Sequence, residues 1–180
     1  ADELTFLDDT LISMTCKGEN LETGTSNLVH RAATLLKDFS GYPRGARIQL
    51  TKNIPVSAGL AGGSGDAAAT LIALNKLWDL KLTLPQLLPL ARKLGADVSY
   101  CMYGGSVAAT LRGDCLTSIP SVSGLWFVLV HPPIAVSAAQ VYGHPQLGHS
   151  KERPFAGRTP GFRKAIKAFA ARDMKNVVYN

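Results

Sequence analysis

The stretch Ile54-Pro55-Val56-Ser57-Ala58-Gly59-Leu60-Ala61-Gly62-Gly63-Ser64-Gly65-Asp66-Ala67-Ala68-Ala69 decides the fold. Small residues fill nearly every place between Ser57 and Ala69. They let a bulky anion approach the main chain, and glycine permits positive φ. Ala67, Leu71, Leu74 and Trp78 follow at spacings of 4, 3 and 4, one face of an α-helix. Such a helix points free N–H groups and the positive end of its dipole back at the loop. Loop and helix together make a phosphate site that needs no lysine. Ser64 is placed to cap the helix; alternatively its hydroxyl faces a phosphate or its magnesium ion. Asp66 competes with a phosphate for the same dipole, so it either points away from the loop or helps hold a metal.

Two familiar phosphate loops do not fit. A Walker loop needs Gly-Lys-Ser/Thr, and no lysine occurs between Lys52 and Lys76. Gly63, Gly65 and Ala68 match Gly-x-Gly-x-x-Ala. A dinucleotide fold, however, wants a strand immediately before and an acid about 20 residues on; the strand ends well upstream and position 83 is a threonine. A flexible linker rarely places Leu60 among its glycines and then enters a clean amphipathic helix.

Outward from the loop, residues 4–16 alternate weakly and contain a strand at 11–15. Ser26 or Asn27 caps a helix carrying Leu28, Val29, Ala32, Leu35 and Leu36. Gly41-Tyr42-Pro43-Arg44-Gly45 breaks it, and 47–50 is a short strand. A helix spans 84–94, with Thr83 as cap, Pro85 in its first turn and Gly95 at C′. Pro89 predicts a kink or a late start. Segments 106–112 and 126–131 read as strands, the second ended by Pro132-Pro133. Segment 143–161, rich in glycine and proline, reads as a loop. The mixture lacks a strict βαβ alternation, so the fold class is α+β.

The 180 residues are 46% hydrophobic and 18% charged, an ordinary globular composition with no apolar run long enough for a membrane span. Cys16, Cys101 and Cys115 are odd in number and widely spaced, which argues against a disulfide framework and a zinc site. The histidines His30, His131, His144 and His149 form no paired helical set. The formal charge is +6, and the excess lies in 143–180, where eight basic residues face Glu152 and Asp173. Phe162, Ile166 and Phe169 at helical spacing, with Arg163, Lys164 and Lys167 between them, read as an amphipathic helix with a solvated basic face rather than a nucleic-acid surface.

Pro55, Gly59, Leu60, Gly62, Gly63 and Ser64 spell Pro-x-x-x-Gly-Leu-x-Gly-Gly-Ser. This resembles the ATP loop of the galactokinase, homoserine kinase, mevalonate kinase and phosphomevalonate kinase (GHMP) superfamily. Gly95-Ala96-Asp97-Val98, followed by Tyr103-Gly104-Gly105, is similar to the 4-diphosphocytidyl-2-C-methyl-D-erythritol kinases within it. Ser26-Asn27-Leu28 and Val141-Tyr142 add to the likeness. The resemblance implies a GHMP-kinase fold, with an N-terminal ATP-binding domain over 1–130 and the start of a C-terminal substrate-binding domain over 131–180. It implies ATP and Mg2+ as cofactors, and a cytidine diphosphate-linked methylerythritol as small-molecule substrate. Neither nucleic acid nor membrane is implied as a partner, and the location implied is the cytoplasm, or the plastid stroma for a plant or alga.

By the same resemblance Asp97 is catalytic. Its plainer role is an N-cap for 98–102. Pro55, Val56, Ser57, Ala58, Gly59, Leu60, Ala61, Gly62, Gly63, Ser64 and Gly65 bind the nucleotide. Lys52 and Asn27 meet its adenine side, with a solvated lysine and a plain helix cap as the alternatives. Tyr142 stacks on cytosine or is a core aromatic, and Ser64 reaches the metal. The chain departs from the family at Asp66, where asparagine is usual, and at Ser99, where proline is common. The family's N-terminal lysine strand and C-terminal glycine motif are not found, so the chain looks like the middle of a kinase and is expected to be nearly inactive alone. Homoserine or mevalonate kinase, or a non-catalytic nucleotide-binding or basic interaction module, are the competing expectations.

Overall fold

The weak alternation of residues 4–16 becomes two strands rather than one. In the computed structural model, which describes residues 1–121, 126–130, 140–141, 143–147, 160–171 and 173, β1 is Glu3–Asp9 and β2 is Ser13–Lys17. Leu11 lies between them, 71% exposed. The break has a packing cause. A Cβ on Gly45 would sit 2.2 Å from the Leu11 carbonyl carbon, so the chain crosses directly over the start of the next strand.

That strand, β3 (Gly45–Thr51), is central in the order β1-β3-β2. It pairs antiparallel with β1, from Glu3 opposite Thr51 to Asp9 opposite Gly45, and parallel with β2, from Ser13 opposite Arg47 to Lys17 opposite Thr51. Parallel neighbours need a crossover, supplied here by α1 (Leu28–Ser40). Ala46, Ile48 and Leu50 are buried while Arg47 and Gln49 are exposed, so one face of the sheet meets the core.

Four helices enclose that core: α1, α2 (Gly62–Leu77), α3 (Leu84–Leu94) and α4 (Ala96–Tyr103). Val29, Ala32, Ala33 and Leu36 of α1 bury with Ala67, Leu71 and Leu74 of α2 and Leu87, Leu90 and Val98 of α3 and α4. Trp78 is buried at the end of α2 and stacks on Tyr42, ring centres 4.9 Å apart. A capping box between Thr83 and Gln86 starts α3 where the sequence predicts. The helix starts at Leu84 and runs through Pro89, so the late start is not seen; Pro89 is exposed, where water can take the lost bond. Gly95 follows the last helical residue as expected, in an extended conformation.

These elements form one compact unit, Ala1–Tyr103; the second is Gly104–Asn180. The units divide at Tyr103, ahead of the boundary at residue 130 that the resemblance implies. In the second unit the strand expected over 106–112 is a hairpin. Strand β4 (Val107–Thr110) pairs antiparallel with β5 (Cys115–Ser118), through a turn that uses positive φ at Leu111 and Gly113. Residues 126–130 are not the expected strand. They have no regular structure and no ladder partner among the described residues, and Trp126 is 97% exposed. His131, Pro132 and Pro133 lie outside the described residues, as does 148–159 of the expected loop. The helix α5 (Pro160–Ala170) starts before that loop was expected to end. It keeps Arg163, Lys164 and Lys167 exposed and Phe162, Ile166 and Phe169 half-buried, the predicted solvated basic face.

Candidate active site

The loop between β3 and α2 is open. Pro55, Val56, Ser57, Gly59, Leu60 and Ala61 are exposed. Ser57, Gly59 and Ala61 have φ of 57°, 71° and 54°, while Ala58 and Leu60 between them do not turn positive. Left-handed residues alternating with right-handed ones are the backbone pattern that builds anion-binding concavities. Holding a non-glycine residue in the left-handed region costs about 1–3 kcal/mol, so Ser57 and Ala61 mark a conformation that the surroundings impose.

Helix α2 starts at Gly62, earlier than the apolar periodicity suggests. Ala61 is its N-cap and offers no side-chain bond, and the Gly65 N–H donates to the Ala61 carbonyl at 2.8 Å. The N–H groups of Gly62, Gly63 and Ser64 therefore have no intrahelical acceptor. Ser64 is not the cap. It sits half-buried inside the first turn, and its hydroxyl bonds to none of the described residues. It is free for a phosphate or for a magnesium ion held mainly by the phosphates, the way Mg2+ usually binds. Among the described residues there is no cluster of three or more His, Cys, Asp or Glu that could hold a metal unaided.

Lys52 is not a solvated lysine. It is only 7% exposed, and its ammonium bonds the carboxylates of Asp2 and, at 2.9 Å, of buried Asp66. Asp2 also accepts the Asn53 and Ile54 amides, each at 2.7 Å. Burial works against the Lys52 charge, but the bonds and charges of its two partners outweigh it and raise the ammonium above its ordinary value. Burial likewise works against the Asp2 charge. The Ile54 amide, the Lys52 ammonium and the Asn53 amide overcome it and hold that carboxyl low. Asp66 goes the other way: burial raises it beyond what Lys52 can offset, and the Asp2 charge adds to the rise. Two carboxylates sharing one ammonium split in this manner. Asp66 thus turns under the loop, away from its mouth, and the metal-holding alternative falls.

Asp97 lies in the first turn of α4 rather than at its cap, and it is exposed. The helix begins two residues early, at Ala96, because α4 follows directly on Gly95. Helix α4 packs against α2. Cys101, one turn beyond Asp97, has its thiol raised by burial and then by the charges of Asp97 and Asp66 together.

Asn27 is the cap of α1. Its Oδ1 accepts from the Val29 amide at 2.9 Å, and its Nδ2 donates to the Glu22 carbonyl at 2.7 Å. Its polar atoms are committed within the protein, like those of Lys52. Tyr142 lies outside the described residues. Asp2 was missed by sequence reasoning, because no spacing rule connects positions 2, 52 and 66. A cleft of about 270 Å³ between α1 and the end of α3, lined by His30, Arg31, Asp38 and Lys93, contains none of the predicted site residues.

Comparison with known proteins follows the same lines. The family described as GHMP kinases N terminal domain matches residues 27–105, the span from the α1 cap to just past α4. The chain is 52% identical over 136 residues to a 4-diphosphocytidyl-2-C-methyl-D-erythritol kinase of Geobacillus sp. (strain WCH70), covering 76% of this chain and 47% of the relative. It superposes on a crystal structure of 4-(cytidine 5'-diphospho)-2C-methyl-D-erythritol kinase with a TM-score of 0.60 and 32% identity, over 95% of this chain and 59% of the other. A homoserine kinase from Cytophaga hutchinsonii gives a TM-score of 0.74 at 19% identity, over 98% of this chain and 61% of the other, a likeness of fold alone. The chain spans about half the length of the curated relatives it matches.

Proposed function

We propose that the chain is the nucleotide-binding part of a GHMP kinase, whose N-terminal domain family matches residues 27–105, and that the enzyme moves the γ-phosphoryl group of ATP onto the 2-hydroxyl of 4-diphosphocytidyl-2-C-methyl-D-erythritol, in non-mevalonate isoprenoid biosynthesis. One observation supports this reading: an exposed loop with alternating left-handed residues runs into an uncapped helix N-terminus. Asp97, in the first turn of the neighbouring α4, is the base in this reading.

Amides of 56–64 receive the phosphate oxygens, and the dipole of α2 favours the negative charge. Ser64 offers its hydroxyl to Mg2+, which when bound neutralises charge on the phosphates. The acceptor oxygen attacks the γ-phosphorus while the bond from that phosphorus to the β-bridging oxygen breaks. The hydroxyl proton passes to the Asp97 carboxylate, and ADP leaves. Positioning and electrostatics do most of the catalysis in such transfers. Asn27 borders the adenine side of the nucleotide, and Lys52 acts on that side through the loop it supports. Tyr142 stacks on cytosine, worth ~1–3 kcal/mol in other base sites. Residues 131–180 begin the substrate-binding domain, and the enzyme works in the cytoplasm. No helix among the described residues is long and apolar enough to cross a membrane.

The test is ADP release by the full-length protein with three acceptors. Turnover that requires the cytidine diphosphate group supports the assignment. Turnover with homoserine or mevalonate instead moves the protein to another branch of the family. Nucleotide binding without transfer to any of the three would leave a binding module.

A further inference from the structure

We propose that Lys52, Asp2 and Asp66 form a buried clamp that fixes both ends of the 53–61 loop, so that Lys52 and Asp66 are positioning residues for the nucleotide. The proposal rests on the functional reading above.

The loop enters from β3 and leaves into α2. At the entrance, Asp2 Oδ1 takes the amides of Asn53 and Ile54, each at 2.7 Å, and the Asn53 side chain donates to the Ala1 carbonyl at 2.8 Å. At the exit, Asp66 receives the Lys52 ammonium at 2.9 Å from the first turn of α2. Lys52 joins the two ends, because the same ammonium bonds Asp2. Gly62 closes the arrangement: a Cβ there would stand 2.8 Å from Lys52 Nζ and 3.4 Å from Asp2 Oδ2. Backbone and ammonium are thus in direct apposition where the helix begins. The amides of 55–61 take no backbone acceptor among the described residues, apart from the local turn at 56–57. A strained conformation at Ser57 and Ala61 persists only when its surroundings over-determine it, and both ends of this loop are over-determined by one buried cluster. None of its three members points into the mouth, so the cluster acts on the nucleotide only through the backbone.

The experiment compares Asp66→Ala, Asp66→Asn and Lys52→Met in the chain 1–180. The readouts are backbone amide order parameters and the Kd for Mg·AMP-PNP. Wild-type amides at 57–63 are expected to be as rigid as regular structure, with S² of about 0.85, and to fall below about 0.6 in Asp66→Ala while β3 and α3 stay unchanged. The Kd is expected to rise about tenfold with them, a coupling of ordinary allosteric size. Asp66→Asn keeps an acceptor for the ammonium and is expected to recover most of both. An unchanged loop in Asp66→Ala, or a loss of order spread equally over the whole unit, overturns the clamp. Lys52→Met is expected to show the same losses as Asp66→Ala; should it fail to fold, Asp2→Ala takes its place with the same expected outcomes. If the wild-type chain binds no nucleotide but the order parameters respond as stated, the functional reading falls and the clamp stands.

Discussion

At Gly62 the lack of a side chain decides whether the ammonium beneath the loop keeps both carboxylates. Lys52 is flexible, but its end is held from two sides and cannot withdraw freely. Gly62→Ala is expected to cost about 1–3 kcal/mol, as overpacking does, measured by urea unfolding. Gly65, three residues on in the same helix, has nothing within 4 Å of a Cβ. Gly65→Ala is expected to be neutral or to stabilise by up to about 1 kcal/mol through helix propensity. Asp97 separates stability from chemistry. It is exposed, so Asp97→Ala should leave unfolding within about 0.5 kcal/mol of wild type, while kcat of the full-length protein falls at least about 100-fold.

The three buried charges also set a pH signature. Lys52 is raised above 10.5, so its contribution is intact below that value and fades as pH climbs through the folded one. Asp2 is lowered from 3.8, so its contribution holds above 3.8 and fades as pH falls through the folded value. Asp66 is raised, and the folded state then binds more protons than the unfolded one just above pH 3.8; its ionisation costs stability as pH rises through that window. The stability advantage of wild type over Asp66→Asn should shrink with pH across that window. A constant difference in urea unfolding would contradict the raised Asp66.

Among the elements, α4 carries a flaw that can be measured. Ser99 is fully buried and its hydroxyl has no partner among the described residues. An unsatisfied buried polar group costs roughly 1–3 kcal/mol, so Ser99→Ala is expected to stabilise by about 1 kcal/mol. Asn27→Ala should cost about 1 kcal/mol by removing the α1 cap. Elements punctuated by local chemistry were legible in the sequence: α1 between Asn27 and Gly41, and α3 between Thr83 and Gly95. Those decided by distant contacts were not. The apolar stripe from Ala67 onward found α2 but not its first turn, because Gly62 and Gly63 are poor helix formers that pack there for lack of a side chain. One strand became two where Gly45 lets Leu11 pass overhead. The loop itself was readable from its small residues. The support beneath them was not, since it joins positions 2, 52 and 66 through space.

For the whole molecule, the relation to longer relatives governs what the chain does by itself. It spans about half of their length, and the exposed apolar residues 126–130 have no ladder partner among the described residues. The chain 1–180 alone is expected to release ADP far more slowly than a protein of its relatives' length, in a side-by-side steady-state assay. Equal rates would contradict this. Reversing charge at Arg163, Lys164 and Lys167 should lower that activity only modestly, because these cations form a solvated face.

A crystal structure with Mg·AMP-PNP bound tests the enzyme most directly. The phosphates should lie on the amides of 56–64 at ordinary hydrogen-bond distances of about 2.7–3.2 Å, with the Asp97 carboxylate beside the terminal phosphate, one acceptor hydroxyl away. A nucleotide seated elsewhere, such as the cleft between α1 and α3, or an Asp97 directed away from the terminal phosphate, would contradict the assignment.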